Sequence, residues 1–140
     1  MSPLLLNLRI VGASLITLSL AHVFIARRLE WKADAARMTP LNRQIFHVHA
    51  FFICLVLTMM GVLCLGFPQA LVTPTPLARV VLAGLAIFWG TRLIVQWFVY
   101  EREHWRGNRV NTIIHFVFSA LWMYYAGVFA VAWYGVWRAR

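Results

Sequence analysis

The stretch PLARVVLAGLAIFWGTRLIVQWFVY, residues 76–100, decides the fold: it is 25 residues long and carries only two charges, Arg79 near its start and Arg92 deep inside. A helix needs about 20 apolar residues to cross a bilayer core. Three more stretches have that character, residues 3–26, 46–67 and 110–137, so with 76–100 there are four. Only helices and closed barrels satisfy their backbone groups in lipid. These runs lack strict alternation and are too long for barrel strands. The sequence therefore predicts an all-α fold, an integral membrane bundle of four transmembrane helices forming one membrane domain over residues 1–140.

Composition agrees: 62% of the residues are hydrophobic and 12% charged, against about 45–50% and 25% in soluble domains. The net charge of +9 does not imply nucleic acid, because the basic residues flank apolar runs rather than forming a stripe; their anionic neighbour is lipid headgroup. Cys54 and Cys64 share one apolar run, about 15 Å apart on a helix and out of disulfide reach. The opening segment, with Arg9 ahead of an apolar run, has the outline of a signal peptide but is read as the first span.

The connections are punctuated. RRLEWKADAARMTPLNRQ, residues 27–44, is the longest polar segment, and it predicts a short interfacial helix and a turn at Thr39-Pro40. PQALVTPTP, residues 68–76, predicts a short rigid connection, and Gly107-Asn108 a turn before the last span. Eight basic residues (27, 28, 32, 37, 43, 102, 106 and 109) fall on one side and four (9, 79, 138 and 140) on the other. The positive-inside rule then puts the two polar loops in the cytoplasm and both termini outside, in a bacterial-type inner (plasma) membrane. Trp31 and Trp105 mark one interface, and Trp133, Tyr134 and Trp137 the other.

All four carboxylates, Glu30, Asp34, Glu101 and Glu103, fall on the side assigned to the cytoplasm, and so do His22, His47, His49, His104 and His115. Hydropathy alone pushes polar groups out of the hydrocarbon, so this clustering has a plain structural explanation. His47 and His49 moreover point about 200° apart on a helix and cannot serve one site. The functional alternative is a site built from facing helices. His22 and His115, each inside its span, form the preferred pair of axial ligands for haem b. His47, His104 and His115 with Glu101 form a less defined metal set. Glu101 and His104 make Glu-x-x-His, but a di-iron bundle needs two copies and the chain has one.

In the third span Arg92, Gln96, Tyr100 and His104 recur every four residues on one helix face, with Trp89 one turn earlier. Asn111, His115 and Ser119 repeat that spacing in the fourth span; Ser14, Leu18 and His22 do so in the first. Arg92 lies about 13 Å along the helix from Glu101 and about 20 Å from Arg79. Its burial in lipid costs at least about 2.5–3.5 kcal/mol, and no span contains Asp or Glu. Arg92 and Gln96 are therefore expected to meet an anion, a ligand or a protein partner.

The stretches LEWKADAARMTPLNRQIFHVHAFF and LAIFWGTRLIVQWFVYE resemble a group of small bacterial four-helix membrane proteins of unassigned function. The shared features are Trp31, the Arg43-Gln44 pair, and Phe88-Trp89-Gly90 with Arg92, Leu93 and Gln96. The likeness covers about the middle half of the chain. It implies four helices, stresses Arg92 and Gln96, and implies no activity. That group often has aromatic residues at the positions of His47 and His49, which counts against these as ligands.

With no complete catalytic set, the sequence is read as a non-catalytic accessory or interaction subunit, in contact with lipid and with other membrane subunits or further copies of itself. A b-type haem electron carrier or oxidoreductase is the alternative, and an enzyme acting on a lipid or quinone headgroup the third reading.

Overall fold

The computed structural model describes residues 2–28, 30–99 and 109–139. Among the described residues six helices follow in order: α1 (Pro3–Arg28), α2 (Trp31–Ala36), α3 (Pro40–Gly66), α4 (Pro68–Val72), α5 (Pro76–Phe98) and α6 (Arg109–Arg138). No strand occurs among the described residues. Helices α1, α3, α5 and α6 are long and apolar enough to cross a membrane, the pattern of a multi-pass membrane protein. Leucines, isoleucines and phenylalanines exposed around them, among them Phe24, Phe51, Ile87 and Phe98, have no aqueous solvent to avoid if lipid surrounds them.

Helix starts follow cap chemistry rather than hydropathy. Thr39 caps α3, its hydroxyl accepting from the Asn42 amide, with Pro40 in the first turn. Thr75 repeats the device on α5, accepting from the Ala78 amide at 3.1 Å ahead of Pro76. Proline fits there because its missing N–H would have had no intrahelical partner. Consequently α3 begins six residues before the apolar run at Phe46: an apolar run marks the lipid-exposed section, whereas the helix begins at its cap. The connection over residues 68–76 contains α4, and the expected short interfacial helix is α2. Before α2 the chain turns at Glu30, which adopts φ 52° in the left-handed region. The Gly107-Asn108 turn, Trp105 and the loop charges at 101–106 lie outside the described residues.

The chain divides into two compact units, Leu6–Pro68 and Ser2–Leu5 with Gln69–Arg140. In the first, α1 and α3 run antiparallel and approach closely at Gly12 and Gly61. A Cβ on Gly12 would stand 2.8 Å from the Gly61 carbonyl oxygen, and one on Gly61 2.9 Å from that of Gly12. Two turns further along α1, the Ser19 hydroxyl donates to the Cys54 carbonyl at 2.9 Å and lies 3.0 Å from the Thr58 hydroxyl. Small residues at the crossing with hydroxyl bonds beside them are the means by which helices associate in lipid, where burial from water supplies no force. Trp31 of α2 sets an edge-on contact with Phe46 of α3 at 5.2 Å.

In the second unit α5 and α6 pair antiparallel. The buried positions of α5 are Ala78, Leu82, Leu85, Trp89 and Gln96; those of α6 include His115, Ser119, Trp122, Tyr125, Phe129, Ala132 and Val136. The α6 series steps by threes and fours, and the α5 series does so up to Trp89 and then by seven to Gln96, the repeat that keeps one seam facing a neighbouring helix. Near one end of the pair, Arg79 lies over the Trp137 ring at 5.5 Å, Trp133 stacks on Trp137, and Arg138 lies over Tyr134. Such basic and aromatic groupings suit a membrane–water interface.

A polar and aromatic seam between the fifth and sixth helices

The α5–α6 seam is apolar toward the Arg79 end and becomes polar where Gln96 meets α6. Gln96, 8% exposed, is joined to three side chains. Its Oε1 accepts from Arg92 at 3.2 Å and, at a longer 3.4 Å, from the Trp122 indole N–H. Its Nε2 lies 2.9 Å from His115 Nδ1. Four-residue spacing on α5 puts Arg92 beside Gln96, and the antiparallel α6 brings His115 and Trp122 to the same stretch.

The direction of this network follows from valence. Arginine and the tryptophan indole can only donate, so the amide oxygen belongs on their side and the amide nitrogen faces His115. His115 Nδ1 is then an acceptor, and the ring proton sits on Nε2. Ser119, one turn on, donates to the His115 carbonyl at 2.8 Å. The Arg92 guanidinium also lies 5.2 Å from the Trp122 ring centroid, a cation–π contact of up to about 2 kcal/mol when desolvated. Trp122 stacks in turn on Trp89 at 5.0 Å and on Phe118 at 5.3 Å, while Tyr125 meets Trp89 edge-on at 4.8 Å. Trp89 is 2% exposed, and its indole N–H has no hydrogen-bond acceptor among the described residues.

No family model, curated protein or solved structure matches this chain. Its chemistry is therefore argued from the seam itself.

Of the residues singled out in the sequence, Arg92, Gln96 and His115 are brought together, with Ser119 and Trp89 beside them. His22 lies on α1 in the other unit, where Nδ1 contacts the Leu18 carbonyl at 2.8 Å. A carbonyl only accepts, so His22 Nδ1 carries a proton and donates, the contact a histidine makes when it ligates through Nε2. His115 has the opposite arrangement: Nε2 bears the proton, and ligation through it would move that proton to Nδ1 and require the Gln96 amide to turn its oxygen toward the ring. This weighs against His115 as a haem ligand.

His47 and His49 are exposed on α3. His49 donates from Nδ1 to the Ile45 carbonyl at 2.8 Å, and His47 makes an edge contact with Phe46 at 5.6 Å. Tyr100, Glu101 and His104 lie outside the described residues. Among the described residues no three His, Cys, Asp or Glu side chains gather as a metal set would.

Trp122 and Tyr125 were missed in the sequence. The signal was present: Trp122 continues the His115–Ser119 face at the next three-residue step. An aromatic residue in a span reads as lipid-facing or packing until its neighbour on another helix is known.

Proposed function

We propose that this chain is a non-catalytic accessory or interaction subunit of a larger membrane assembly. It is a four-helix bundle in a bacterial plasma membrane, with both termini outside. The observation that carries the reading is the setting of Arg92. A guanidinium inside an apolar helix is costly, yet here it is half-buried, bonded to Gln96 and seated on Trp122. Such a held charge suits recognition, because its geometry is fixed before a partner arrives. In the seam the His115 ring is tied to the Gln96 amide, and the neighbouring Ser119 hydroxyl donates to the His115 carbonyl, an arrangement that joins helices rather than activating a nucleophile.

The test is purification from native membranes in a mild detergent. The chain is expected to co-migrate with a second polypeptide in fixed ratio, and Arg92→Leu to lose that polypeptide while remaining inserted. A wild-type chain that migrates alone would defeat the reading. A Soret band in the purified protein would replace it with the haem reading, in which His22→Ala should abolish the band.

A further inference from the structure

Beside Arg92, on the flank of α5, lies a groove of about 480 Å³ lined by Gly84, Ile87, Phe88, Thr91, Arg92 and Val95. These positions step by threes and fours along one face, so the groove is about 16 Å long, three helical turns. At one end, the space that a side chain on Gly84 would occupy has no atom within 4 Å. Ile87 (69% exposed) and Phe88 (45%) stand along it. At the other end are Arg92 and the exposed Thr91. Thr17 and Thr58 bond their hydroxyls to the carbonyl four residues back, but the Thr91 hydroxyl makes no hydrogen bond among the described residues.

We propose that this groove receives a transmembrane helix of another protein, one that carries an Asp or Glu side chain within its span. The proposal rests on the accessory-subunit reading and specifies the partner. Three features select that occupant. The groove's one charged residue is cationic, and its planar fork matches a carboxylate in two parallel hydrogen bonds. The open glycine, two turns from Arg92, admits the close backbone approach of a second helix, which an acyl chain would not need. Arg92 lies six residues, about 9 Å, inside the Phe98 end of α5, a depth suited to a side chain of a spanning helix rather than to a lipid headgroup. A second copy of this chain does not fit, since none of its four apolar runs contains Asp or Glu. Thr91, which lines the same groove, offers a hydroxyl as a further donor to the carboxylate.

The test reconstitutes the full-length protein in phosphatidylcholine vesicles and measures energy transfer to labelled leucine-alanine transmembrane peptides. The peptides differ at one central position: Glu, Lys or Leu. The Glu peptide should associate about tenfold more tightly than the Leu peptide, and the Lys peptide no better than Leu. Arg92→Gln and Gly84→Leu should each remove the preference, whereas Gly127→Leu, at an equally open glycine on α6, should keep it. Equal association of Glu and Leu peptides would overturn the proposal, as would a Glu preference surviving either groove substitution. Displacement of the Glu peptide by a few per cent of oleate would assign the groove to a lipid instead. Self-association lost in Gly84→Leu would assign it to a second copy. A native complex untouched by Gly84→Leu would sink the groove and leave the accessory reading standing. A Glu preference in a chain that purifies alone would do the reverse.

Discussion

Gln96 stands between two side chains that can only donate and an imidazole that adapts to what it is offered, and that position makes it the hinge of the seam. Gln96→Leu would leave Arg92 and Trp122 without their amide acceptor and His115 without its donor. Interhelical hydrogen bonds in membranes are worth about 0.6–1.7 kcal/mol, and stranding their partners adds to that. We expect a loss of about 1–3 kcal/mol in an SDS unfolding titration; an unchanged midpoint would show that the network contributes no stability. The two stacked indoles make a second comparison. The Trp122 N–H is bonded to Gln96 and its ring carries Arg92, whereas the Trp89 N–H has no acceptor among the described residues. Trp89→Phe should therefore cost less than Trp122→Phe in the same titration, because it removes ring volume but no hydrogen bond. The reverse order would mean that packing volume alone sets the stability of the seam.

Among elements, the glycines separate into two kinds, which substitution should distinguish. Gly12 and Gly61 face each other's carbonyl oxygens at 2.8–2.9 Å from where a Cβ would stand, and backbone cannot swing aside as a side-chain tip can. Gly12→Ala or Gly61→Ala should force α1 and α3 apart and cost about 1–3 kcal/mol. Gly84→Ala, Gly127→Ala and Gly135→Ala meet nothing within 4 Å and should be neutral or slightly stabilising, since alanine is the better helix former by about 1 kcal/mol in aqueous scales. Thermal aggregation temperatures in detergent would sort the two groups, and equal losses in both would refute the close crossing. The crossing was not singled out in the sequence. Gly12, Ser19, Cys54 and Gly61 are ordinary small residues in apolar runs, and only the antiparallel pairing sets them opposite one another.

For the molecule as a whole, topology is the property with the plainest test. The excess of Lys and Arg in the segment containing α2 predicts that segment to be cytoplasmic, and the α4 connection to lie outside. Ala70 on α4 and Lys32 on α2 are both exposed and carry no capping duty, unlike Thr75, whose hydroxyl caps α5. In a background lacking Cys54 and Cys64, an impermeant maleimide applied to intact cells should label Ala70→Cys and spare Lys32→Cys. Labelling of Lys32→Cys alone would invert the topology.

What the sequence determined by itself was the class of structure and the placing of its long helices. Uninterrupted apolar runs of more than 20 residues have few ways to satisfy their backbone in lipid, so length and hydropathy suffice. The Thr-Pro pairs mark helix starts because capping is a local matter of four residues. Four-residue spacing likewise put Arg92 beside Gln96. Only the tertiary structure decided that Gln96 reaches His115, that Trp122 supports Arg92, and that His115 is held as a hydrogen-bond acceptor at Nδ1. Each of those depends on the register of α5 against α6. Apolar helices of similar composition can slide by a turn or rotate with little change in hydropathy, so register leaves almost no trace in the sequence and is set by the fit of particular side chains across the seam.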